Sequence, residues 1–340
     1  MKEVANKPYI TIKDVAKRAG VSISTVSRVL NRRDRVNDET REKVLAAIQE
    51  MNFTPNNIAA SMVTKKTKMI AIAVPEVINS FYSTVIHGVE EYAKAKGYNT
   101  LIFSLTNDIQ QERELCNGVI GKIVDGLITI PITKDLSIYN AFDCPIVLVD
   151  RFLPGYDKPG VVIDNLGGSY LLTQHLIGKG HRKIGLINGP CDFNIGQERK
   201  AGYLQALADN NIPVEERYLF EGEWYESTGQ TGVRYFADMP DPPTALECTN
   251  NLICMGAIKE LYDNQVKIGE DISIVGFDDN HLASFISPAV TVIDRPTAEM
   301  GRVSANILFD LIEGRPVPEI KRTLGVCLVE RGSVKDLRTQ

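Results

Sequence analysis

At 340 residues the chain is too long for one typical domain, and its length predicts two or three domains, each large enough to bury a core of its own. Its apolar runs are shorter than a membrane span, its N-terminus has no apolar signal core, and its six cysteines lack the spacing of a disulfide framework or a zinc site, so we expect a cytoplasmic protein without a metal. The net charge of −5 is uneven, with +7 on residues 1–68 and −12 on the remainder, which points to a polyanionic partner for the first segment, a merely solvated basic face being the alternative.

Residues 10–54 have the pattern of three short helices. Apolar residues recur at helical spacing up to Ala19, Gly20 breaks the run, and Ser22 is suited to cap a second helix. A third helix is expected to begin near Asn37 or Asp38. The apolar stripes expected to form a common core are Ile12, Val15, Ala16 and Ala19, then Val26, Val29 and Leu30, then Val44, Leu45, Ile48 and Met51. This arrangement predicts a helix-turn-helix domain.

The second helix carries the side chains expected to contact DNA. Ile23, Ser24, Ser27 and Arg28 lie off its apolar face. The N-terminal end of a recognition helix meets base edges in the major groove, where an arginine pairs with guanine and an apolar side chain contacts a thymine methyl. The pattern therefore predicts a DNA-reading helix, and a plain helical hairpin is the alternative.

Residues 55–68 separate this head from the rest of the chain and have the small-residue composition of a linker. Pro55 is nevertheless suited to a first helical turn. The apolar residues that would share one face of a two-turn helix are Ile58, Ala59, Met62 and Val63. So short a helix is marginal alone in water. We therefore expect a hinge helix that forms only when it is paired and docked, rather than a disordered tether.

From Met69 onward, short apolar strands alternate with amphipathic helices, which is typical of parallel sheets with helices on both faces. The ten candidate strands are MIAIAV, TLIFSL, GLITI, PIVLVD, GVVID, KIGLING, RYLFEG, TALECT, ISIVGFD and VTVID. The helices expected between them include 81–96, 109–123, 166–179, 197–210, 252–263 and 298–312. Ten strands exceed one comfortable sheet, so we expect an α/β body of two doubly wound lobes, with a ligand site in the cleft between the carboxyl ends of their strands.

The head resembles that of the lactose/galactose repressor family of bacterial transcription factors. The resemblance rests on TIKDVAKRAGVSISTVSRVLN and VNDETREKVLAAIQEMNFTPN, in one ungapped match that continues into the body. It implies that Ile23, Ser24 and Arg28 read bases, and that Met62 stands where the family inserts a leucine into the minor groove. The residues implied to contact DNA are Thr11, Ile23, Ser24, Thr25, Ser27, Arg28, Asn31, Asn56, Ala59, Met62 and Lys65.

The resemblance implies a DNA-binding head (1–54), a hinge (55–68) and a body (69–340) similar to sugar-binding periplasmic proteins. We expect lobe one at about 69–163 and 295–322, and lobe two at about 164–294 and 323–340. The residues implied to bind an effector are Phe81, Tyr82, Asp150, Ile195, Arg199, Trp224, Asn250, Asp278 and Arg295. This set suits a sugar-like molecule, because aromatic rings stack on C–H faces while amides, carboxylates and an arginine fork bind hydroxyls.

Two residues depart from the family pattern. Arg295 stands where members commonly have Gln, and Asn251 stands where Asp is usual. An unpaired buried arginine would be costly without an anion, so we hypothesise an anionic effector, either a sugar acid or a sugar phosphate. The alternative is that Arg295 pairs with Asp294, Asp278 or a carboxylate of the other lobe.

No catalytic motif is present: the sequence has neither a nucleophile elbow nor a phosphate-binding loop, and its four histidines lack ligand spacing, so we expect no enzyme and no cofactor. The resemblance implies a homodimeric repressor of carbohydrate-utilisation genes that binds a pseudo-palindromic operator under allosteric control by the effector. Two alternatives remain: a regulator controlled mainly by a partner protein, and a sugar-binding protein without gene control.

Overall fold

The computed structural model describes residues 10–30, 36–53, 66–118, 120–152, 155–156, 158–279 and 281–339. The chain divides into two compact units, a head of Met1–Thr67 and a body of Lys68–Gln340. In the described part of the chain, every helix is too short or too polar to span a lipid bilayer.

The described residues of the head form three helices, α1 (Ile12–Ala19), α2 (Ile23–Leu30) and α3 (Asp38–Glu50). At the start of α1 the amide and the hydroxyl of Thr11 both donate to the Asp14 carboxylate, at 2.8 and 2.7 Å, which forms a capping box. Gly20 adopts a φ of 69°, a left-handed conformation suited to glycine, and so turns the chain from α1 into α2. The predicted helix-turn-helix is therefore present.

The core of the head is small. Its fully or largely buried apolar residues are Val15, Ala16, Val26, Val29, Val44, Ala47 and Phe53. One predicted core residue is wrong, because Leu45 is 51% exposed. Val44 and Ala47 occupy the inner face of α3, and a residue one position from Val44 is rotated by about 100° around a helix.

The body consists of two six-stranded sheets with helices on both faces. The strands of the first sheet, in spatial order, are β11 (Lys321–Leu324), β5 (Gly160–Ile163), β4 (Ile146–Val149), β3 (Leu127–Thr129), β1 (Met69–Val74) and β2 (Asn99–Ser104). Those of the second are β12 (Cys327–Val329), β10 (Thr291–Asp294), β9 (Ser273–Phe277), β8 (Ala245–Cys248), β6 (Ile184–Asn188) and β7 (Leu219–Glu221). All pairs are parallel except β10 with β12.

The helices of the body are α4 (Ser80–Ala95), α5 (Ile109–Asn117), α6 (Ile120–Ile123), α7 (Asn165–Gly178), α8 (Asn194–Asp209), α9 (Glu226–Ala237), α10 (Asn251–Asp263), α11 (His281–Phe285) and α12 (Thr297–Ile312), with short 3₁₀ turns at Leu136–Ala141, Glu216–Tyr218 and Leu337–Thr339. The single helix expected at 109–123 is interrupted, because Gly118 leaves the helix in an extended conformation.

The chain passes between the sheets three times, after β5, after β10 and after β11. The ten predicted strands are all present, but β11 and β12 were not predicted. Strand β11 lies in the first sheet and ends at Leu324, two residues beyond the expected end of lobe one at 322. Both missed strands are short and largely exposed or half-buried, so they lack the apolar run by which the others are recognised.

One carboxyl group lies in the core of the second lobe. Glu247 on β8 is fully buried and accepts hydrogen bonds from the hydroxyls of Ser169 and Thr173 on α7. Burial raises the pKa of the Glu247 carboxyl from 4.5 to about 7, because the charged form is desolvated and the two hydroxyls offset this only in part.

This carboxyl makes stability depend on pH. The folded state binds the proton of Glu247 more tightly than the unfolded state does. The contribution of Glu247 to the free energy of unfolding is therefore complete below pH 4.5 and is lost as the pH rises to about 7, a decrease of roughly 3 kcal/mol. We expect Glu247→Gln to remove this slope in urea unfolding between pH 5 and 8. The exposed Glu216→Gln should leave the slope unchanged. An unaltered slope in Glu247→Gln would contradict the assignment.

Candidate effector cleft and DNA-reading helix

A cleft of about 240 Å³ lies between the two lobes, at the carboxyl ends of the parallel strands. All nine residues predicted to bind an effector line it. They converge because each follows a strand or lies in the first two turns of the helix after it: Asp150 follows β4, Asp278 follows β9, and Asn250 follows β8. Convergence of strand ends is what makes such a crevice the usual ligand site of α/β folds.

Arg295 occupies the centre of the cleft and joins the two lobes. Its Nη1 donates to Asp150 Oδ1 of lobe one at 2.9 Å, and its Nη2 donates to Asp278 Oδ2 of lobe two at 2.8 Å. The Nε atom lies 2.5 Å from Asp278 Oδ1. The guanidinium also stacks on Phe81, with its Cζ 3.6 Å from the ring centroid. Arg295 is 6% exposed, so this is a buried ion-pair network.

The two carboxylates of this network occupy equivalent places in the two sheets. Asp150 follows β4 and Asp278 follows β9, and each strand is third from the end in its own sheet. Both residues have positive φ angles, 65° and 79°. Aspartate adopts this left-handed conformation more readily than most residues, but it is still strained, and strain of this kind concentrates at binding sites.

The network removes the ground for the hypothesis of an anionic effector. That hypothesis required Arg295 to lack a partner, whereas Arg295 meets two carboxylates, one of which is in the other lobe. The alternative that the sequence left open, pairing with Asp278 and a carboxylate across the cleft, is the arrangement present. Asp294 is exposed and is not one of the two carboxylates of this network.

Arg199 lies on the floor of the cleft, 1% exposed, and its fork is partly committed to its own lobe. Its Nε donates to Asn165 Oδ1 at 3.0 Å, its Nη1 donates to the Thr249 carbonyl, and its Cζ lies 3.7 Å from the centroid of the Phe277 ring. Burial lowers the pKa of Arg199 to about 10, so it stays charged at neutral pH. Two of its three nitrogens are therefore engaged within its own lobe, and the expected contact of its fork with an effector stays a prediction.

Asn250 and Asn251 begin α10 at the cleft. Asn250 caps the helix, its Oδ1 accepting from the Ile253 amide at 2.7 Å. Asn251 Nδ2 donates across the lobes to Asn79 Oδ1 at 2.9 Å. An aspartate, the usual residue of the family at this position, has no N–H to donate. Both departures noted in the sequence, Arg295 and Asn251, thus form contacts between the lobes.

Aromatic rings line the cleft on both sides. Trp224 is half-buried and packs over Gly189, where an added Cβ would lie 2.3 Å from the indole. Phe81 and Tyr82 open α4 with ring centroids 5.1 Å apart. Burial raises the pKa of Tyr82, so its hydroxyl remains a neutral donor. These rings offer stacking surfaces, and Trp224 also contributes to the adjoining core.

Several lining residues were missed by sequence reasoning. Asn79, Arg151, Asp192 and Phe193 line the cleft, and each follows a predicted strand by a few residues. The strand-end rule would have found them had it been applied to every loop. The same rule applies to Ile132, which follows the predicted strand GLITI by two residues and lines the cleft. Its loop, 131–133, is held by a glutamate that is distant in sequence.

That glutamate is Glu112, which is fully buried. It accepts from the amides of Ile132 and Thr133, at 3.1 and 2.8 Å, and from the Tyr139 hydroxyl at 2.5 Å. Burial raises the pKa of Glu112. Because Ile132 lines the cleft, Glu112 positions part of the cleft wall without reaching it.

On the head, α2 presents the predicted reading face. Ile23, Ser24 and Arg28 are exposed, whereas Thr25 and Ser27 are half-buried. Ser22 contacts the Ser24 and Thr25 hydroxyls at 2.8 and 2.9 Å and accepts from the Thr25 amide at 3.2 Å, so it begins the helix as expected. Thr11 is exposed but serves the capping box of α1. The predicted contacts Asn31, Asn56, Ala59, Met62 and Lys65 lie outside the described residues.

Family models match both the head and the body of the chain. The family model described as bacterial regulatory proteins, lacI family, matches residues 11–56, and the model of a periplasmic binding protein-like domain matches residues 173–334. The HTH-type transcriptional regulator RegA of Clostridium saccharobutylicum is 36% identical over 327 residues, covering 95% of this chain and 98% of that protein. The chain belongs to the lacI family.

Other members of the lacI family agree. The HTH-type transcriptional repressor CytR of Escherichia coli (strain K12) is 33% identical over 340 residues, covering 99% of this chain and 100% of its own. The lac repressor dimer bound to operator and the anti-inducer ONPF superposes with a TM-score of 0.86 at 27% identity, covering 97% of this chain and 100% of that one. A transcriptional regulator CelR–cellobiose complex superposes with a TM-score of 0.73 at 30% identity, covering 95% of this chain and 99% of that one.

Membership of the lacI family establishes that the chain is a DNA-binding transcriptional regulator and not an enzyme. It also argues against the alternative of a sugar-binding protein without gene control. The cleft of this regulator contains an arginine, Arg295, that is bonded to a carboxylate of each lobe.

Proposed function

We propose that the operator affinity of this regulator is controlled by a small, neutral, polar, sugar-like molecule that binds between the lobes. The observation that carries the proposal is the convergence of all nine predicted residues, aromatic and polar, on one cleft at the strand ends. The solved CelR relative is a complex with cellobiose, which supports a carbohydrate as the first class to test.

The charge of the cleft favours a neutral molecule. Arg295 is neutralised by two aspartates, and three more carboxylates line the same space, those of Glu76, Asp192 and Glu223. Arg151 and Arg199 are the other two lining arginines among the described residues. A sugar acid or phosphate would therefore meet more negative than positive charge, which disfavours it.

We further propose that two copies of the chain bind a pseudo-palindromic operator, with heads at 1–54 and hinge helices within 55–68. The lac repressor relative is a dimer on its operator, and a two-fold dimer matches a palindrome in symmetry. The effector would act through unequal affinity for two arrangements of the lobes. Carbohydrate-utilisation genes remain the proposed targets.

Arg28 should dominate base recognition by α2. We expect Arg28→Ala to weaken operator binding by about 1–3 kcal/mol, because a bidentate arginine–guanine contact contributes on that scale. Fluorescence anisotropy with operator and scrambled duplexes measures it. Lys43→Ala removes one positive charge from α3 and serves as control, since Lys43 pairs with Glu39 at 2.7 Å. Equal losses on both duplexes would mean that Arg28 contacts only phosphates.

The hinge is proposed to wedge the operator open with Met62. We expect Met62→Ala to weaken specific binding far more than nonspecific binding, because only a bent specific site gains from an inserted apolar side chain. Met62→Leu should retain binding. The same duplexes measure it, and equal losses on specific and nonspecific DNA would refute the wedge.

Whether a small molecule regulates DNA binding is tested on the DNA upstream of the regulator's own gene. A gel shift with that DNA, repeated with neutral sugars, uronates and sugar phosphates, identifies the effector class. Trp224 is the sole tryptophan of the chain and lines the cleft, so its fluorescence reports binding directly. A shift that no small molecule alters would favour control by a partner protein, and tight binding of an anion alone would overturn the neutral class.

A further inference from the structure

The two carboxylates best placed to bind effector hydroxyls are already engaged. Asp150 and Asp278 are 4% and 6% exposed, and each accepts a charged hydrogen bond from Arg295 at 2.9 and 2.8 Å. A ligand hydroxyl would have to compete with a guanidinium, which binds carboxylates more strongly than a neutral donor does.

Arg295 is also held so that it cannot easily withdraw. Its guanidinium stacks on Phe81 at 3.6 Å, and Pro296 restricts the backbone that follows. Arg295 lines both the cleft and a second cavity of about 310 Å³, and Phe81, Asn251 and Asp278 line both spaces with it.

The contacts of Arg295 join the lobes without any ligand. Asp150 belongs to the first sheet and Asp278 to the second, so one side chain performs the bridging that a bound molecule performs in a two-lobed binding protein. The bond from Asn251 to Asn79, at 2.9 Å, adds a second such bridge nearby.

We propose that Arg295 is a built-in ligand and the specificity-determining residue of the cleft. It keeps effector hydroxyls off Asp150 and Asp278 and fastens the lobes before an effector binds. The effector is then selected by the remaining N–H donors, among them those of Arg199 and Trp224, and so bears acceptors such as carbonyl or ether oxygens. This inference rests on the proposed function, since it assumes that the cleft binds an effector.

The test compares wild type with Arg295→Gln, which restores the residue usual in the family. Because that change leaves two carboxylates without their cation, Arg295→Gln/Asp150→Asn, which retains one charge, is measured alongside it. The probes are D-glucose, D-galactose, D-mannose and D-ribose, titrated by calorimetry. We expect at least one sugar to bind both variants about tenfold more tightly than wild type, as a freed carboxylate gains a hydroxyl donor.

If the proposal is correct, the gain in sugar affinity depends on the carboxylates of Asp150 and Asp278. Arg295→Gln/Asp150→Asn/Asp278→Asn should lose most of it, which a general loosening of the fold would not reproduce. Arg302→Gln is the matched control, because Arg302 is half-buried at the surface and pairs there with Glu299 at 2.8 Å and Glu91 at 3.1 Å. It should bind the sugars as wild type does.

Fastening of the lobes is tested without any sugar. Acrylamide quenching of Trp224 should be stronger in Arg295→Gln/Asp150→Asn than in wild type, because the cleft opens more often, and Arg302→Gln should match wild type. Unchanged quenching and unchanged sugar affinity would overturn the inference, as would a gain that survives in the triple variant. If the inference failed in this way but another small molecule released the wild-type protein from its operator, the proposed function would still hold.

Discussion

Asp278→Ala should destabilise the body by about 3–5 kcal/mol, the scale found when one partner of a buried ion pair is removed. Asp278 accepts from Nη2 of Arg295 at 2.8 Å, and its Oδ1 lies 2.5 Å from Nε, so its loss leaves that side of a buried guanidinium without its counter-charge. Alanine would also have to adopt the φ of 79° that aspartate tolerates better. Urea unfolding followed by circular dichroism measures the change.

A double variant tests whether the loss of stability comes from the unpaired Arg295 cation. Asp278→Ala/Arg295→Met should recover much of the lost stability, because no unpaired cation remains. Asp192→Ala is the control: it removes an exposed cleft carboxylate that pairs with Lys134 at 2.7 Å, and surface pairs contribute about 1 kcal/mol or less. If Asp278→Ala destabilised the body no more than Asp192→Ala does, water would be solvating Arg295 and the network would not hold the lobes together.

Much of this architecture follows from the sequence. Alternation of apolar strands with helices predicts two parallel sheets, and ten of the twelve strands have enough apolar residues to be recognised. The resemblance implied the cleft residues, and they lie together because parallel strands present their carboxyl ends to one side. What the pattern omits are β11 and β12, whose stability comes from pairing with buried neighbours rather than from their own apolarity.

The partners of Arg295 were beyond sequence reasoning. Asp294, Asp278 and a carboxylate of the other lobe were all plausible, and Asp294 is nearest in sequence. Asp294 ends β10 and is exposed, however, whereas Arg295 follows the strand and is buried. The partners present lie 17 and 145 residues away, at positions set by the packing of two sheets. Long-range geometry of this kind leaves no local pattern, which is why the sequence could not show that Arg295 has two partners.

The packing of α4 against α12 places the groups on which the cleft depends. Gly88 on α4 approaches α12 so closely that an added Cβ would lie 2.1 Å from the Ala298 carbonyl oxygen, and Gly301 on α12 approaches the Val85 carbonyl equally closely. Phe81 lies at the start of α4, and Arg295 lies two residues before α12. The two glycines therefore fix the distance over which Arg295 stacks on Phe81.

Gly88→Ala should consequently destabilise the body by about 3 kcal/mol, near the upper end for overpacking, because the obstructing atom is backbone and cannot rotate away. It should also increase acrylamide quenching of Trp224, since moving α4 from α12 weakens the stack that holds Arg295. Gly178→Ala is the matched control: Gly178 ends α7 with nothing within 4 Å of an added Cβ, so alanine there should be neutral or stabilise by up to about 1 kcal/mol. Loss of stability in Gly88→Ala with unchanged quenching would show that the helix contact supports the fold but does not set the geometry of the cleft.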